Sequence, residues 1–300
     1  MNNRYALVTA AYNEERFVEQ TLRSVISQTI RPTAWIIVSD GSTDNTDQIV
    51  QRYAEQWQFI TLFRITEEHP RNFAAQVYAI NAGLRELQRK NIAVDFIGNI
   101  DADISMKSDY FEDLLKKFAE MPQLGLAGGV VHDLCATGRF KNRPTNARQS
   151  VAHATQFFRR ECFESIGGAY LPLPFGGPDT FAEVMARMKG WDVESFPDLH
   201  VLHYRPTGSA GGILRSAFRQ GKMDYSLGYG LLFELAKILR RMQIQPYVLG
   251  AVTRLAGFLH SNVRGEKRAV PEEFIEFLRN EQKSRLRRLF SRHEPTLSTN

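Results

Sequence analysis

Gly98–Ser105 reads GNIDADIS and follows the apolar residues Val94, Phe96 and Ile97, so Asp101 and Asp103 stand one residue apart where a buried strand is predicted to end. Side chains at i and i+2 of a strand share a face, which would aim both acids at one small volume. Two carboxylates that close repel each other unless a cation lies between them. Oxygen ligands suit a hard divalent ion such as Mg²⁺ or Mn²⁺. The same letters also suit an acidic turn or the cap of a helix starting near Ser108. The surrounding pattern has to choose between these readings.

Outward from this stretch, apolar runs alternate with helix-period segments. Strands are expected at Tyr5–Ala11, Trp35–Val38, Ile60–Ile65, Val94–Ile100 and Leu124–Val131. Helices are expected at Glu15–Gln28, from Thr43 or Asp44 to about Gln56, at Ala74–Arg89 and at Ser108–Glu120. Such alternation argues for an α/β protein built of βαβ units around a mainly parallel sheet. His132–His153 reads as a polar loop; after it come short strands at Ala154–Phe158 and Val201–Tyr204, with a helix at about Asp179–Lys189 between them. Thr207–Gly212 (TGSAGG) reads as a hinge, dividing residues 1–210, a catalytic domain, from residues 211–300, a helical region. Ligands of open α/β sheets bind beyond the carboxyl ends of the strands. Ala11–Glu14, Ser39–Ser42 and Asp101–Asp103 are three such ends. Asp40 could therefore meet a nucleobase or ribose, or simply serve the turn chemistry of Asp-Gly-Ser.

In order and spacing these words resemble the family 2 glycosyltransferases, enzymes of the GT-A fold. The matching stretches are VTAAYNEE (Val8–Glu15), IVSDGST (Ile37–Thr43), Asn72–Gly83 with Asn81-Ala82-Gly83 at its end, and IDADIS (Ile100–Ser105), within roughly residues 4–205. The resemblance implies a Rossmann-like mixed, mainly parallel sheet. It also implies a nucleotide-sugar site formed by Ala10, Ala11, Tyr12, Glu14, Asp40, Asp101, Ala102 and Arg205. Asp103 would bind the metal directly, and Asp101 would serve the ribose, or the metal through water. The catalytic base matches Asp179, in Gly176-Gly177-Pro178-Asp179, where Pro178 replaces the more usual acid and Glu183 one turn later is the alternative. His203 would complete the metal shell, with His200 as its competitor, and Arg205 with the TGSAGG hinge would form a flap. The implied reaction transfers a sugar, with inversion, from a UDP-, GDP- or dTDP-linked donor to a sugar or lipid-linked acceptor. It would need Mn²⁺ or Mg²⁺ and would serve cell-wall, exopolysaccharide or glycolipid assembly.

Composition narrows the alternatives. The 43% hydrophobic and 24% charged residues fit an ordinary globular protein, and Cys135 and Cys162 lack metal-site or redox spacing. No signal peptide or apolar run of membrane-spanning length is expected, which suits a cytoplasmic protein. Net charge is +5, but residues 211–300 hold 16 Lys and Arg against 8 Asp and Glu, so the tail carries +8 and the rest −3. Its blocks at Gly221–Arg241, Tyr247–His260 and Glu272–Phe290 read as basic amphipathic helices. Such helices can dock on the inner face of a membrane, on the catalytic domain or on a second subunit. No nucleic-acid motif accompanies the charge. A dehydrogenase is disfavoured because no G-x-G-x-x-G follows a strand. A processive synthase would carry membrane spans and a Gln-x-x-Arg-Trp motif. A phosphatase using the first Asp of D-x-D as nucleophile would want Thr or Val where Ser105 stands. A non-catalytic binding protein of the same fold is the remaining alternative.

Overall fold

The computed structural model describes residues 3–65, 74–135, 137–205, 212–242 and 247–291. The chain divides into two compact units, Met1–Pro174 with Pro178–Thr207, and Phe175–Gly177 with Gly208–Asn300.

Strands β1 (Tyr5–Ala11), β2 (Ala34–Ser39), β3 (Ile60–Arg64) and β4 (Phe96–Asn99) pair in parallel in the order β3-β2-β1-β4, and all four end on one edge. Each of β1 and β2 is apolar on both faces because helices cover both faces. Tyr5, Leu7, Trp35 and Ile37 enter one core, whereas Ala6, Val8, Ile36 and Val38 enter the other. The first core holds residues of helices α1 (Val18–Ile26), α2 (Thr46–Gln56) and α4 (Tyr110–Glu120). The second holds residues of α3 (Ala75–Arg89), α5 (Arg160–Ser165) and α6 (Pro178–Met188). Gly83 lets α3 lie close to the sheet: a Cβ there would stand 2.6 Å from Val8 Cγ1 and 2.8 Å from Val38 Cγ2.

Beyond β4 the sheet is mixed. β5 (Ile104–Met106), β6 (Leu124–Leu134), β7 (Phe140–Asn142), β8 (Phe157–Arg159) and β9 (Asp192–His203) complete the order β3-β2-β1-β4-β8-β6-β9-β5, with β7 paired to β6 as a hairpin. β8 is antiparallel to both β4 and β6, β5 is antiparallel to β9, and β6 and β9 run parallel.

Three features differ from the sequence expectation. Most of the supposed His132–His153 loop belongs to the end of β6, to β7 and to ordered turns. The final strand starts at Asp192 rather than Val201, and Pro197, Asp198 and Leu199 bulge out of register between Phe196 and His200. Pro and an exposed acid break the alternation by which a strand is recognised. Opposite the bulge, a Cβ on Gly129 would stand 2.3 Å from the Leu199 carbonyl oxygen. Finally, Asp101 and Asp103 lie not on β4, which ends at Asn99, but in the turn between β4 and β5. Their proximity is the work of that turn and not of strand alternation.

The second unit is helical: α7 (Ile213–Ser226), α8 (Leu231–Arg241), α9 (Tyr247–Val263) and α10 (Glu272–Ser291). Helices α7 and α9 cross backbone to backbone, since a Cβ on Gly221 would stand 1.9 Å from Arg254 O and one on Gly257 2.0 Å from Phe218 O. Arg254 is buried there against Asp224 and Glu234, and Lys237 Nζ lies 2.7 Å from Asp224 Oδ1. The apolar face of α10 is not free for a partner, because Phe274, Ile275 and Leu278 are buried.

Candidate active site

The two N-terminal βα turns are knitted together by the polar letters of their own words. Asn13 adopts φ 55°, a left-handed conformation that Asn tolerates better than most residues, and its side-chain oxygen accepts the Thr43 N–H at 2.8 Å. Ser42 Oγ accepts the Asn13 N–H at 3.2 Å, and Thr46 Oγ1 accepts that of Glu14 at 2.7 Å. With Ser42, Thr43 and Thr46 occupied in this way, Asp40 and Glu14 are left on the open edge of the sheet. A cavity of about 460 Å³ lies there, within the usual size of a small-molecule site (~300–1,000 Å³). Ala10, Ala11, Tyr12, Glu14 and Asp40 line one part of it; Asp101, Ala102, Asp103 and Arg205 line another. Ala75, Gln76 and Ala79 of α3 supply the remainder.

His203 reaches this group through strand pairing. In the register of β5 on β9 it lies opposite Ile104, and the Tyr204 N–H donates to Asp103 O at 2.9 Å. Its Nε2 is 3.5 Å from Asp103 Oδ1, and one ligand atom from each of Asp101, Asp103 and His203 falls within 4.8 Å of the others. On the other side of β9, Asp133 of β6 is in register with His203, and the Asp133 Oδ1 to His203 Nδ1 distance is 2.9 Å. Arg143 holds that carboxylate with both prongs, at 2.6 and 2.9 Å. A proton on Nδ1 donated to Asp133 leaves the Nε2 lone pair for a metal, the usual arrangement of a ligating histidine. His200, the alternative ligand, instead pairs its ring with His132, centroids 4.8 Å apart.

The charges are poorly balanced without a cation. Burial, and then the neighbouring Asp101, push the Asp103 carboxyl up to about 6, while His203 and Arg205 pull the other way. Glu14 is pushed up to about 7 by burial; the Arg205 charge opposes this, and Asp103 and Asp101 add to it. Arg205 is paired with Glu14, and its Nε lies 3.8 Å from Asp103 Oδ2. Burial of His203 favours the neutral ring, but the Asp133 hydrogen bond and the Asp103 and Asp101 charges outweigh it and raise the imidazole pKa. Two carboxylates and one imidazole of this kind fit Mn²⁺ or a similar divalent ion.

Asp179 is not among the residues lining the cavity. It sits in the first turn of α6, where its Oδ1 accepts the Thr180 N–H at 2.8 Å and its carbonyl accepts Gln156 Nε2 at 3.4 Å. The Tyr170 hydroxyl pKa is raised first by burial and then by the charges of Asp179 and Asp101. That hydroxyl is buried with no hydrogen-bond partner among the described residues. Asn81, from the Asn-Ala-Gly word, clamps the Tyr170 backbone on both sides, with its Nδ2 donating to O at 2.8 Å and its Oδ1 accepting from N at 2.9 Å. Glu183, the alternative base, is 4% exposed, and its Oε1 accepts the Val151 N–H at 2.7 Å and the Ser150 hydroxyl at 3.1 Å.

Sequence reasoning missed Gln76, whose Nε2 donates to Asp101 Oδ1 at 2.8 Å, and the Asp133–Arg143 pair behind His203. The run of Val130-Val131 without a Gly or Pro into the polar His132-Asp133 and then Leu134 was the available signal for the latter. Asn72 and most of the proposed hinge, residues 207–211, lie outside the described residues.

A model of the family described as Glycosyl transferase family 2 matches residues 6–171, more than half of the chain. The chain belongs to glycosyl transferase family 2. Over 120 residues this family 2 chain is 28% identical to glycosyltransferase GlyA of Streptococcus pneumoniae, a match covering 40% of this chain and 16% of that protein. It is 29% identical over 120 residues to the poly-beta-1,6-N-acetyl-D-glucosamine synthase of Staphylococcus aureus, covering 40% of this chain and 26% of that one. The match thus spans under a third of the length of either curated relative. Among solved structures, mannosyltransferase PcManGT from Pyrobaculum calidifontis, in complex with GDP-Man and Mn²⁺, is similar with TM-score 0.57 and 19% identity over 96% of this chain and 87% of that one. S. aureus TarS in complex with UDP-GlcNAc has TM-score 0.55 and 14% identity, over 94% of this chain and 83% of that one. The fold is GT-A.

Proposed function

We propose that this family 2 glycosyltransferase moves a sugar from a nucleoside-diphosphate donor to an acceptor hydroxyl with inversion, using a divalent metal. The observation that supports this most is the meeting of Asp101, Asp103 and His203 beside a cavity on the carboxyl edge of the parallel strands. Asp103, Asp101 and His203 would hold the ion, which when bound supplies Lewis-acid stabilisation to a diphosphate leaving group. Asp40 accepts hydrogen bonds from the base or ribose, Tyr12 covers the rim, and Ala10, Ala11 and Ala102 leave room for the nucleoside. Arg205 is released from Glu14 to pair with the diphosphate. Asp179 takes the proton of the acceptor hydroxyl as the acceptor oxygen bonds to the anomeric carbon. The bond from that carbon to the phosphate oxygen breaks on the opposite face, and the nucleoside diphosphate departs with the electron pair. One base and no nucleophile in this scheme give inversion.

The solved neighbours bind GDP-Man with Mn²⁺ and UDP-GlcNAc, and one curated relative makes poly-N-acetylglucosamine. A UDP- or GDP-linked hexose, and a glycan or lipid-linked acceptor of cell-surface polymer assembly, are the substrate classes this supports. A thermal-shift panel of UDP-, GDP- and dTDP-sugars with and without Mn²⁺ tests the reading. One donor should stabilise the wild-type protein in a metal-dependent way, and Asp103→Ala should remove that shift. A panel with no metal-dependent shift for any donor would overturn it.

A further inference from the structure

Helix α9 is arranged the opposite way to a surface helix of a globular protein. Its inward face carries Gly250, Ala251, Arg254, Gly257 and Ser261 together with Phe258, all buried. Its outward face carries Val248, Leu249, Val252, Leu259 and Val263, each exposed, Val263 at 85%. No charged side chain interrupts that outward row, which over 17 residues is about 25 Å long. Helix α8 extends the same character: Leu231, Leu232, Leu235 and Leu239 fall within one arc of the helix and are exposed, Leu232 at 76% and Leu239 at 67%. Exposed apolar rows of this kind on two neighbouring helices mark an interaction site.

The charge at its margins selects the partner. The acids of α7, α8 and α9 are Asp224 and Glu234, and both are fully buried in the Arg254–Lys237 network. Exposed cations do flank the apolar rows: Arg215 beside exposed Ile213 and Leu214, Arg240 at the edge of the leucine arc, and Arg264 just past α9. Two copies meeting through this face would bring like charges together, with the carboxylates of α7, α8 and α9 buried away from them and Glu266 already paired with Lys222. An anionic lipid surface offers both an apolar layer for the aliphatic rows and phosphates for the arginines. No described helix is long and apolar enough to cross a membrane, so the helices would lie in its plane. We infer that the α8–α9 face is a docking surface for an anionic lipid bilayer. This conclusion is independent of the transferase chemistry.

Flotation of the full-length protein with phosphatidylcholine vesicles, with and without phosphatidylglycerol, tests the inference. Binding should require the anionic lipid and weaken with salt. Arg240→Gln and Arg264→Gln should each lower the partition coefficient about fivefold. Leu232→Ser, Leu239→Ser and Val252→Ser should each lower it about tenfold or more. All five positions are exposed, and an unchanged circular-dichroism melt verifies the fold. Absence of binding to anionic vesicles, equal binding to neutral ones, or full binding by the triple serine variant would each overturn the inference. A wild-type dimer by light scattering that the serine substitutions dissociate, with no vesicle binding, would assign the face to a second copy instead.

Discussion

Replacing Asp133 by Ala should weaken divalent-metal binding although Asp133 is not itself one of the three clustered ligands. The carboxylate accepts from His203 Nδ1 at 2.9 Å and is clamped by Arg143. Without it nothing holds the imidazole proton on Nδ1, and the population carrying it on Nε2 cannot ligate. The Arg143 guanidinium, already 3.3 Å from Nδ1, would also be left without its partner close to the site. Partners of this kind behind a ligand are typically worth 10–100-fold in affinity, about 1.4–2.7 kcal/mol. Mn²⁺ titration followed by the spectrum of the free ion, without donor, measures the loss directly. Three further variants separate the causes. Asp133→Asn keeps an acceptor and should lose less than Ala. Asp133→Ala with Arg143→Ala removes the orphaned cation, so recovery of affinity there would point to its charge rather than to the tautomer. Asp133→Ala on top of His203→Ala should add nothing, because the carboxylate acts through the ring. Unchanged Mn²⁺ affinity in Asp133→Ala, or full additivity with His203→Ala, would refute the reasoning.

Asp179→Asn should leave donor and metal binding intact and lower turnover by roughly 10²–10⁴-fold, the usual worth of a general base; unaltered turnover in a steady-state assay would remove Asp179 from that role. Glu183→Gln should instead change the pH dependence of stability. Burial, and then the Asp179 charge, raise the folded-state carboxyl from its ordinary 4.5 to about 8, so between those values the folded protein keeps a proton that the unfolded chain releases. Stability should therefore fall as pH rises through that window, by up to about 1.4 kcal/mol per pH unit from this residue. Gln retains an acceptor for Val151 N–H and Ser150, so denaturant midpoints of the variant measured across the window should be flatter than wild type. Parallel curves would show that Glu183 does not titrate in this way.

Much of the site was legible because short words carry local chemistry. In YNEE and DGSTDNT the letters Asn13, Ser42, Thr43 and Thr46 close the two βα turns upon each other, which leaves Glu14 and Asp40 at the strand ends. The helix of residues 75–89 and the first four strands were readable because both faces of the sheet are covered and the period is unbroken. The bulge at Pro197 and the three-residue β5 carry no such period, so the mixed half of the sheet was not readable in detail. The tail was read as three basic amphipathic blocks of one kind. The apolar face of α10 is buried in its own unit, whereas those of α8 and α9 are exposed.

By itself the sequence determined the α/β class, the carboxyl-edge location of the acids and the family, since these depend on periodicity and on turn residues close together in the chain. The family resemblance favoured His203 over His200, but only the tertiary structure brings one of them to Asp101 and Asp103. Antiparallel pairing of β5 with β9 sets His203 beside Asp103, and parallel pairing of β9 with β6 sets Asp133 behind it, whereas His200 on the same strand is directed to His132. Tertiary structure also replaced the strand-alternation account of GNIDADIS with a turn that holds both acids at the rim of the cavity. Such choices are made by contacts between strands far apart in sequence, where a one-residue slip in register would reverse which face each side chain occupies.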